Sequence, residues 1–431
     1  MPPVFNNATN QIAALKELYD NPTEYMKDLV YKKNPMLAII PKDESPQGFA
    51  GKYIPVPLIY GTPQGRSATF ANAQLNQTPT QMQSFFVFRV SNYVIASISN
   101  ELLEAATGQN AGAFLDEGKL QVDASFRSIS NDLAGDLFRS GTGTRGQIGT
   151  YALVGTVITI VLLDTNDIVQ FEVGMTLVAT ATDGGVPSAT TAQVTNVNRS
   201  TGQLILLSSS ATPSAQWAAL SFLVAQGDIG AAGASGTTSF LKVAGLAAWL
   251  PFIAPVTGDS FWGVDRSVDV TRLAGVRFDG SGESIEEALI DGSSLVAREG
   301  GAPEMCFMNF ASYSALEKEL GSKVQYVDVR GDDGEGGMGD IAFKGITVHA
   351  PYGPITVIPD RNCPQQMCYL LELDVWKLRS LGKAPHILTY GMEGLEGLRV
   401  GTADALEIRI GYYANLITSA PGWNCVIRLS A

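Results

Sequence analysis

The sequence predicts an α+β protein that carries a small all-β module as an insertion. Three observations lead there. Apolar residues recur at three- and four-residue spacing over 113–140, short strand-like runs with turn signals fill 145–232, and helical and strand-like runs mix after that. At 431 residues the chain is long enough for more than one domain of roughly 100–200 residues. Its hydrophobic fraction of 45% excludes wholesale disorder. Charged residues are only 16%, against roughly 25% in an average soluble protein, so part of the surface is expected to face other protein.

Taken in order, residues 1–46 read as an arm: Ile12, Leu15, Leu18 and Tyr19 share one helical face that Asn21-Pro22 ends. Residues 47–98 hold two strand-like runs, Lys52–Tyr60 and Gln83–Ala96, around a polar connection whose one formal charge is Arg66. Alternation puts Tyr53, Pro55, Pro57 and Ile59 on one side of the first run and Phe86, Phe88, Val90 and Asn92 on one side of the second. One ribbon face is therefore largely apolar. A two-stranded ribbon cannot bury such a face against itself, and it needs a partner to pack on. Over 113–140, Phe114, Leu115, Val122, Phe126, Ile129, Leu133, Leu137 and Phe138 form the stripe of one long amphipathic helix that stops at Gly141.

Residues 145–232 then lose charge. Strand-like blocks at 151–163, 171–180, 189–198, 203–207 and 220–225 are separated by turn signals at Asp183-Gly184-Gly185 and Thr201-Gly202, and the stretch Gly230–Gly236 closes the module as a flexible boundary. The remainder predicts helices at 284–298 and 312–320 and strands at 305–309, 324–329, 341–349, 355–358, 367–373 and 406–413.

Function classes fall away in turn. Acidic residues number 42 and basic ones 29, a net charge of −13, so a domain-wide basic footprint for nucleic acid phosphates is absent. The first ten residues lack the basic and apolar regions of a secretory signal, and the longest strongly apolar run, 151–163, is too short for a span of about 20 residues, so no membrane role is expected. Four Cys make no disulfide framework, which favours a reducing compartment.

Gly141-Thr-Gly143-Thr-Arg-Gly146 matches a dinucleotide loop in spacing but follows a helix, where that motif needs a strand. Gly334-Glu-Gly336-Gly-Met-Gly339 is better placed, yet it runs into another strand and its neighbours Asp332, Asp333, Glu335 and Asp340 would repel a pyrophosphate. Those acids do not match an EF-hand loop and read as a solvated loop. Cys363 and Cys368 form one close pair where a structural zinc site needs two, so Cys306, Cys363, Cys368 and Cys425 read as buried thiols. With two His, His349 in a strand and His386 in a turn after Pro385, imidazole-based catalysis is not expected, and no nucleophile elbow or Walker A sequence occurs.

The C-terminal half carries longer words: Phe261-Trp262-Gly263-Val264-Asp265-Arg266-Ser267-Val268-Asp269, Arg272-Leu273-Ala274-Gly275, Glu286-Glu287-Ala288-Leu289-Ile290-Asp291, Cys306-Phe307-Met308-Asn309, Val324-Gln325-Tyr326-Val327-Asp328-Val329, Asp360-Arg361-Asn362-Cys363-Pro364, Trp376-Lys377-Leu378 and Arg409-Ile410-Gly411-Tyr412-Tyr413. In these the chain resembles the major capsid proteins of tailed bacteriophages and prophages, the Hong Kong 97-type shell proteins, most densely over 240–431. The resemblance implies an N-terminal arm at 1–46, an extended loop at 47–98, a spine helix and the start of a peripheral domain at 99–144, an inserted all-β domain at 145–232, more peripheral domain at 233–303, an axial domain at 304–405 and C-terminal peripheral strands at 406–431. It implies intersubunit contact by Tyr53, Pro55, Pro57, Ile59, Arg66, Phe70, Phe86 and Phe88, and a spine-helix core of Leu115, Val122, Phe126, Ile129, Leu133 and Leu137.

It further implies hexamers and pentamers closing an icosahedral head around double-stranded DNA held without sequence specificity, in a virion assembled in the host cytoplasm. No catalytic residue, cofactor, metal or membrane belongs to that picture. A portal and a decoration protein are implied partners, and so is a separate scaffolding protein, because no long helical scaffolding segment precedes the arm. Two further readings share some of these features: an encapsulin-like compartment shell, and a nucleotide-binding enzyme using Gly334–Gly339. Physics suits a shell, since many modest contacts repeated by symmetry combine into a stable lattice, and an acidic wall leaves packaged DNA free.

Overall fold

The computed structural model describes residues 34–45, 51–99, 111–230, 241–321, 326–330, 342–388, 398–399 and 404–430. The helical face expected at 12–19, the Gly334–Gly339 loop with its acidic neighbours and the boundary at 231–236 lie outside them. The chain divides into two compact units. The described part of the first is drawn from Asn92–Asn131 and Lys383–Tyr412; the second comprises Asn34–Ser91, Asp132–Gly382 and Tyr413–Ala431.

In the first unit residues 405–412 of the long strand Ala405–Thr418 pair antiparallel with His386–Ile387 and Leu398–Arg399, and the strand Val90–Ser99, which belongs to this unit from Asn92 on, pairs with the same strand. A Cβ on Gly411 would stand 2.9 Å from the Asn92 carbonyl oxygen, so glycine is what lets these strands approach.

The second unit is built on a seven-stranded mixed sheet in the order Val276–Gly280, Cys425–Leu429, Met367–Leu371, Met305–Met308, Gly353–Pro359, Ala342–Ala350, Tyr326–Arg330. Strands from both sides of the expected 303/304 boundary share it. Helix Ile285–Arg298 starts where the sequence supplies a reciprocal cap. The Ser284 hydroxyl accepts from the Glu287 amide, and the Glu287 carboxylate accepts from the Ser284 amide, each at 3.3 Å. Its buried side, Ile285, Ala288, Leu289 and Val296, packs with Leu316 and Leu320 of helix Phe310–Leu320 onto the sheet residues Cys306, Met308, Cys368, Leu370, Cys425 and Ile427. A smaller parallel and antiparallel pairing joins Lys42–Asp43, Trp376–Ser380 and residues 414–418.

Residues 144–225 form a closed antiparallel barrel, in the order Phe222–Ala225, Thr144–Val154, Val157–Leu162, Gln203–Ser208, Ala192–Asn198, Thr176–Thr180. Closure leaves no strand edge to protect, and none of these strands continues into another sheet. Ile148, Ile158, Ile160, Phe171, Leu177, Leu204, Leu206, Trp217 and Leu223 fill it. The run expected as one strand at 151–163 is two. Gly155 at φ 63° turns the chain, so Tyr151 comes to pair with Ile160. The run expected at 171–180 becomes a strand only from Thr176, after a 3-10 turn over Thr165–Gln170 that the Asp164 side chain caps.

The long helix spans Ala111–Asp136 rather than 113–140. Its end tightens into a three-residue turn, where Phe138 N donates to the Gly135 carbonyl and Arg139 N to the Asp136 carbonyl at 3.1 Å each, and the segment at Gly245–Leu246 lies against that end: the Leu246 amide donates to the Leu137 carbonyl at 2.7 Å, and a Cβ on Gly245 would stand 2.2 Å from the Asp136 carbonyl oxygen. Leu137 and Phe138 therefore lie beyond the helix, still buried, with Phe138 against Phe307 and Tyr369.

Candidate functional site

The feature that stands out in the second unit is a long ribbon. Tyr53–Gly61 pairs antiparallel with Gln81–Phe88, from Tyr53 opposite Phe88 to Gly61 opposite Gln81, with an irregularity near Ile59. Because side chains alternate, Ile54, Val56, Phe85 and Val87 share one face, and Tyr53, Pro55, Pro57, Ile59, Met82, Ser84, Phe86 and Phe88 share the other.

The first face is buried. Phe85 meets Trp249 edge to face at 5.2 Å and Phe261 at 6.2 Å between ring centroids. Hydrogen bonds hold it too: at the base Asn415 Nδ2 donates to the Phe88 carbonyl at 2.7 Å and Phe86 N to the Trp262 carbonyl at 2.9 Å, and near the tip end of the ladder Arg272 donates to the Tyr60 carbonyl at 2.6 Å. The second face is left outward and holds no charged group. Ile59 is 61% exposed, Met82 60%, Tyr53 44%, Phe88 40% and Phe86 39%. Tyr53 packs edge to face on Phe86 and Phe88 at 4.9 and 6.1 Å, so this face is a preformed aromatic surface.

The two prolines have a defined place in the ladder. Since Phe86 N–H points away from the opposite strand to Trp262, the Pro55–Phe86 pair is a non-hydrogen-bonded one, and Pro57, two residues on, sits alike. Their missing N–H groups would have pointed to the outer edge. Strand Tyr53–Gly61 thus costs the ribbon no internal bond and offers a neighbour a donor-poor edge.

At the far end, residues 62–80 close on themselves. Gln64 N donates to Thr78 Oγ1 at 2.7 Å and Thr78 N to the Gln64 carbonyl at 2.9 Å, and a short helix, Phe70–Leu75, crosses the tip. The sequence reading made this tip polar. It is mixed, because the helix stands Phe70 84% and Leu75 82% exposed beside the exposed Arg66.

All the expected contact residues, Tyr53, Pro55, Pro57, Ile59, Arg66, Phe70, Phe86 and Phe88, are exposed on the ribbon or its tip. The alternation expected to continue through Val90 and Asn92 ends at Phe88, for Val90 is buried and begins the next strand, Val90–Ser99. Of the expected helix core, Ile129 and Leu133 are fully buried, Val122 and Phe126 half-buried, Leu137 buried past the helix end, and Leu115 lies in its first turns. The sequence reading missed Trp249 and Asn415, which fix the ribbon's base, and Arg272, which holds the tip end of its ladder; the apolar run around Trp249 was a signal for that residue alone.

Among the described residues the other candidates hold no assembled chemistry. Cys306, Cys363, Cys368 and Cys425 are free and buried, and burial raises the Cys306, Cys363 and Cys425 thiols well above their ordinary range. The Cys363 thiol donates to the Phe307 and Met367 carbonyls. His349 is exposed, and His386 Nδ1 lies 2.6 Å from the Lys383 carbonyl. Among the described residues no three His, Cys, Asp or Glu converge as a metal site, and no helix is long and apolar enough to cross a membrane.

No protein-family profile matches the chain, and no curated protein matches it. Among solved structures it is similar to the capsid asymmetric unit of cyanophage A-1(L), at 12% identity and TM-score 0.48 over 95% of this chain and 98% of that one. It is similar to the capsid of an empty GTA particle, at 9% identity and TM-score 0.45 over 95% and 94% of the two chains. A further similarity is to the holo-SrpI encapsulin complex of Synechococcus elongatus, at 8% identity and TM-score 0.43 over 97% and 94%.

Proposed function

We propose that this chain is a shell-forming structural protein, the major capsid protein of a tailed phage or prophage, with no enzymatic role. The observation that carries the reading is the ribbon's uncharged outer face. Tyr53, Ile59, Met82, Phe86 and Phe88 stand exposed on a ribbon whose opposite face is already packed within the chain. These side chains are already about half buried, so full cover by a neighbour adds roughly half of the 1.5–3 kcal/mol of complete burial, about 1 kcal/mol each, and the five together outweigh an exposed ion pair at about 0–1 kcal/mol. Repeated around closed symmetry, contacts of that size hold a lattice. The residue words of 261–275, 286–291 and 409–413 support the same assignment.

In this reading the subunits form hexamers and pentamers of an icosahedral head, with the ribbon lying over a neighbouring subunit. Double-stranded DNA is enclosed without sequence-specific contacts, and the chain's net charge of −13 suits a wall that does not adsorb it. A separate scaffolding protein, a portal and a decoration protein are the expected partners, and assembly takes place in the host cytoplasm. Residues 1–46 act as the arm, 145–232 as an inserted domain and 304–405 as the axial domain. Negative-stain microscopy of the purified protein, alone and with a candidate scaffold, tests this. Closed shells containing nucleic acid are the expected result; shells enclosing an enzyme cargo would move the assignment to an encapsulin-like compartment, and a dispersed monomer in the particle fraction would overturn it.

A further inference from the structure

The base of the barrel holds five charged groups from four segments. Asp132 and Asp136 come from the end of the long helix, Arg145 from the first barrel strand, Asp228 from the chain leaving the last one, and Lys242 from the returning segment. Lys242 Nζ is 2.7 Å from Asp132, 3.2 Å from Asp228 and 4.0 Å from Asp136; Arg145 is 2.9 Å from Asp228 and also pairs with Asp132. No side chain in the cluster is more than 18% exposed.

Three carboxylates face two cations, so one negative charge is left over, and the geometry says where. Asp132 and Asp228 take the short contacts. Asp136 Oδ2 is buried with no hydrogen-bond partner among the described residues. Asp136 is also the last residue of a 26-residue helix, the end whose carbonyls repel an anion.

We propose that Asp136 is a proton-operated latch at the base of the barrel: protonated, it leaves a balanced cluster that ties the barrel's two connecting segments to the helix, and ionised it loosens that tie. Burial first and the Asp132 charge second push its carboxyl up to about 8, while Lys242 and Arg145 pull the other way and Asp228 adds to the push. Asp132, close to both cations, is held well below the usual carboxylate range and stays ionised. The sign follows from linkage. A group whose proton is held more tightly when the latch is closed stabilises closure fully below its free value near 4, and loses that contribution as pH rises to about 8. The barrel's other ties, Ser140 and Thr142 to Asp183, Arg139 to Asp167, Gln170 to Asn362 and the Gln365 amide to Asp164, are outside this balance, so the effect is local opening and not loss of the fold.

The test is amide hydrogen exchange on the full chain, corrected for intrinsic base catalysis. It is read at Arg139, Lys242 and Leu246, whose amides bond to the Asp136, Gly141 and Leu137 carbonyls. In the wild type the opening constant should rise about tenfold per pH unit between about pH 5 and 7 and level off above about pH 8. Asp136→Asn should remove the rise. Asp228→Asn takes away one competing carboxylate, so its plateau should come at lower pH, a readout that stands even where Asp136→Asn folds poorly. A rise that persists in Asp136→Asn, or a plateau unmoved in Asp228→Asn, overturns the latch.

Discussion

Phe85 and Trp249 meet edge to face with ring centroids 5.2 Å apart, both side chains fully buried, and this contact within the chain fixes the base of the ribbon. Phe85→Ala removes a large buried ring and leaves a cavity, so it should cost about 3–5 kcal/mol of stability in denaturant unfolding. A loss under about 1 kcal/mol would mean that the hydrogen bonds from Asn415 and to Trp262 hold the base without it.

The outer face should behave in the opposite way. Replacing Ile59 and Met82 together by Ser touches side chains that are 61% and 60% exposed, so the free subunit should keep its unfolding midpoint, within about 0.5 kcal/mol per site. Assembly, followed by sedimentation and light scattering, should fall sharply. Full shell yield from the double variant would show that this face is not where neighbours meet.

Gly245 tests how tightly the helix end is packed. An added Cβ would lie 2.2 Å from the Asp136 oxygen and 2.4 Å from the Leu137 oxygen, and backbone cannot swing aside as a side chain can. Gly245→Ala should therefore cost about 3 kcal/mol or more, measured by thermal unfolding. A neutral effect would mean that the 245–246 segment is not seated on the helix end.

The barrel has its own core, so a fragment of residues 141–229 should unfold cooperatively when heated. Leu206→Ala within it should lower its stability by about 2–5 kcal/mol. A fragment with no cooperative transition would show that the barrel depends on the rest of the chain.

A fourth kind of measurement concerns the thiols. Burial keeps Cys306, Cys363 and Cys425 protonated, and Cys368 is fully buried with them. An aromatic disulfide reagent at neutral pH should label none of the four in the native protein and all four in denaturant. Rapid labelling of Cys306, Cys368 or Cys425 in the native state would locate an opening of the seven-stranded sheet, and of Cys363 an opening of the turn before strand Met367–Leu371.

What the sequence made legible was local. Ser284 three residues before Glu287 marked the helix start, and alternation from Tyr53 to Ile59 marked the ribbon. What it could not settle was decided by residues far along the chain. Phe85 and Val87 are as apolar as Phe86 and Phe88, so alternation shows two apolar faces and not which of them Trp249 and Phe261 will cover. Strands Val276–Gly280, Trp376–Ser380 and Cys425–Leu429 escaped for a related reason: each is defined by partners elsewhere in sequence, Val276–Gly280 lying parallel to Cys425–Leu429, which pairs with Met367–Leu371, and Trp376–Ser380 pairing with residues 414–418. The tip helix Phe70–Leu75 was hidden by its own polar surroundings.

Pro55 and Pro57 bear on how a population of such chains behaves while subunits are still free. A long, uncharged β-ribbon at high concentration is a template for runaway strand addition, since each newcomer would bond to the last and expose a fresh edge. With two outward donors removed from strand Tyr53–Gly61, that growth is starved of hydrogen bonds, and side-chain contact across the ribbon's face is what remains. In the proposed shell, contacts of that kind would be made, undone and remade, so that a misplaced subunit could leave before it became a permanent defect.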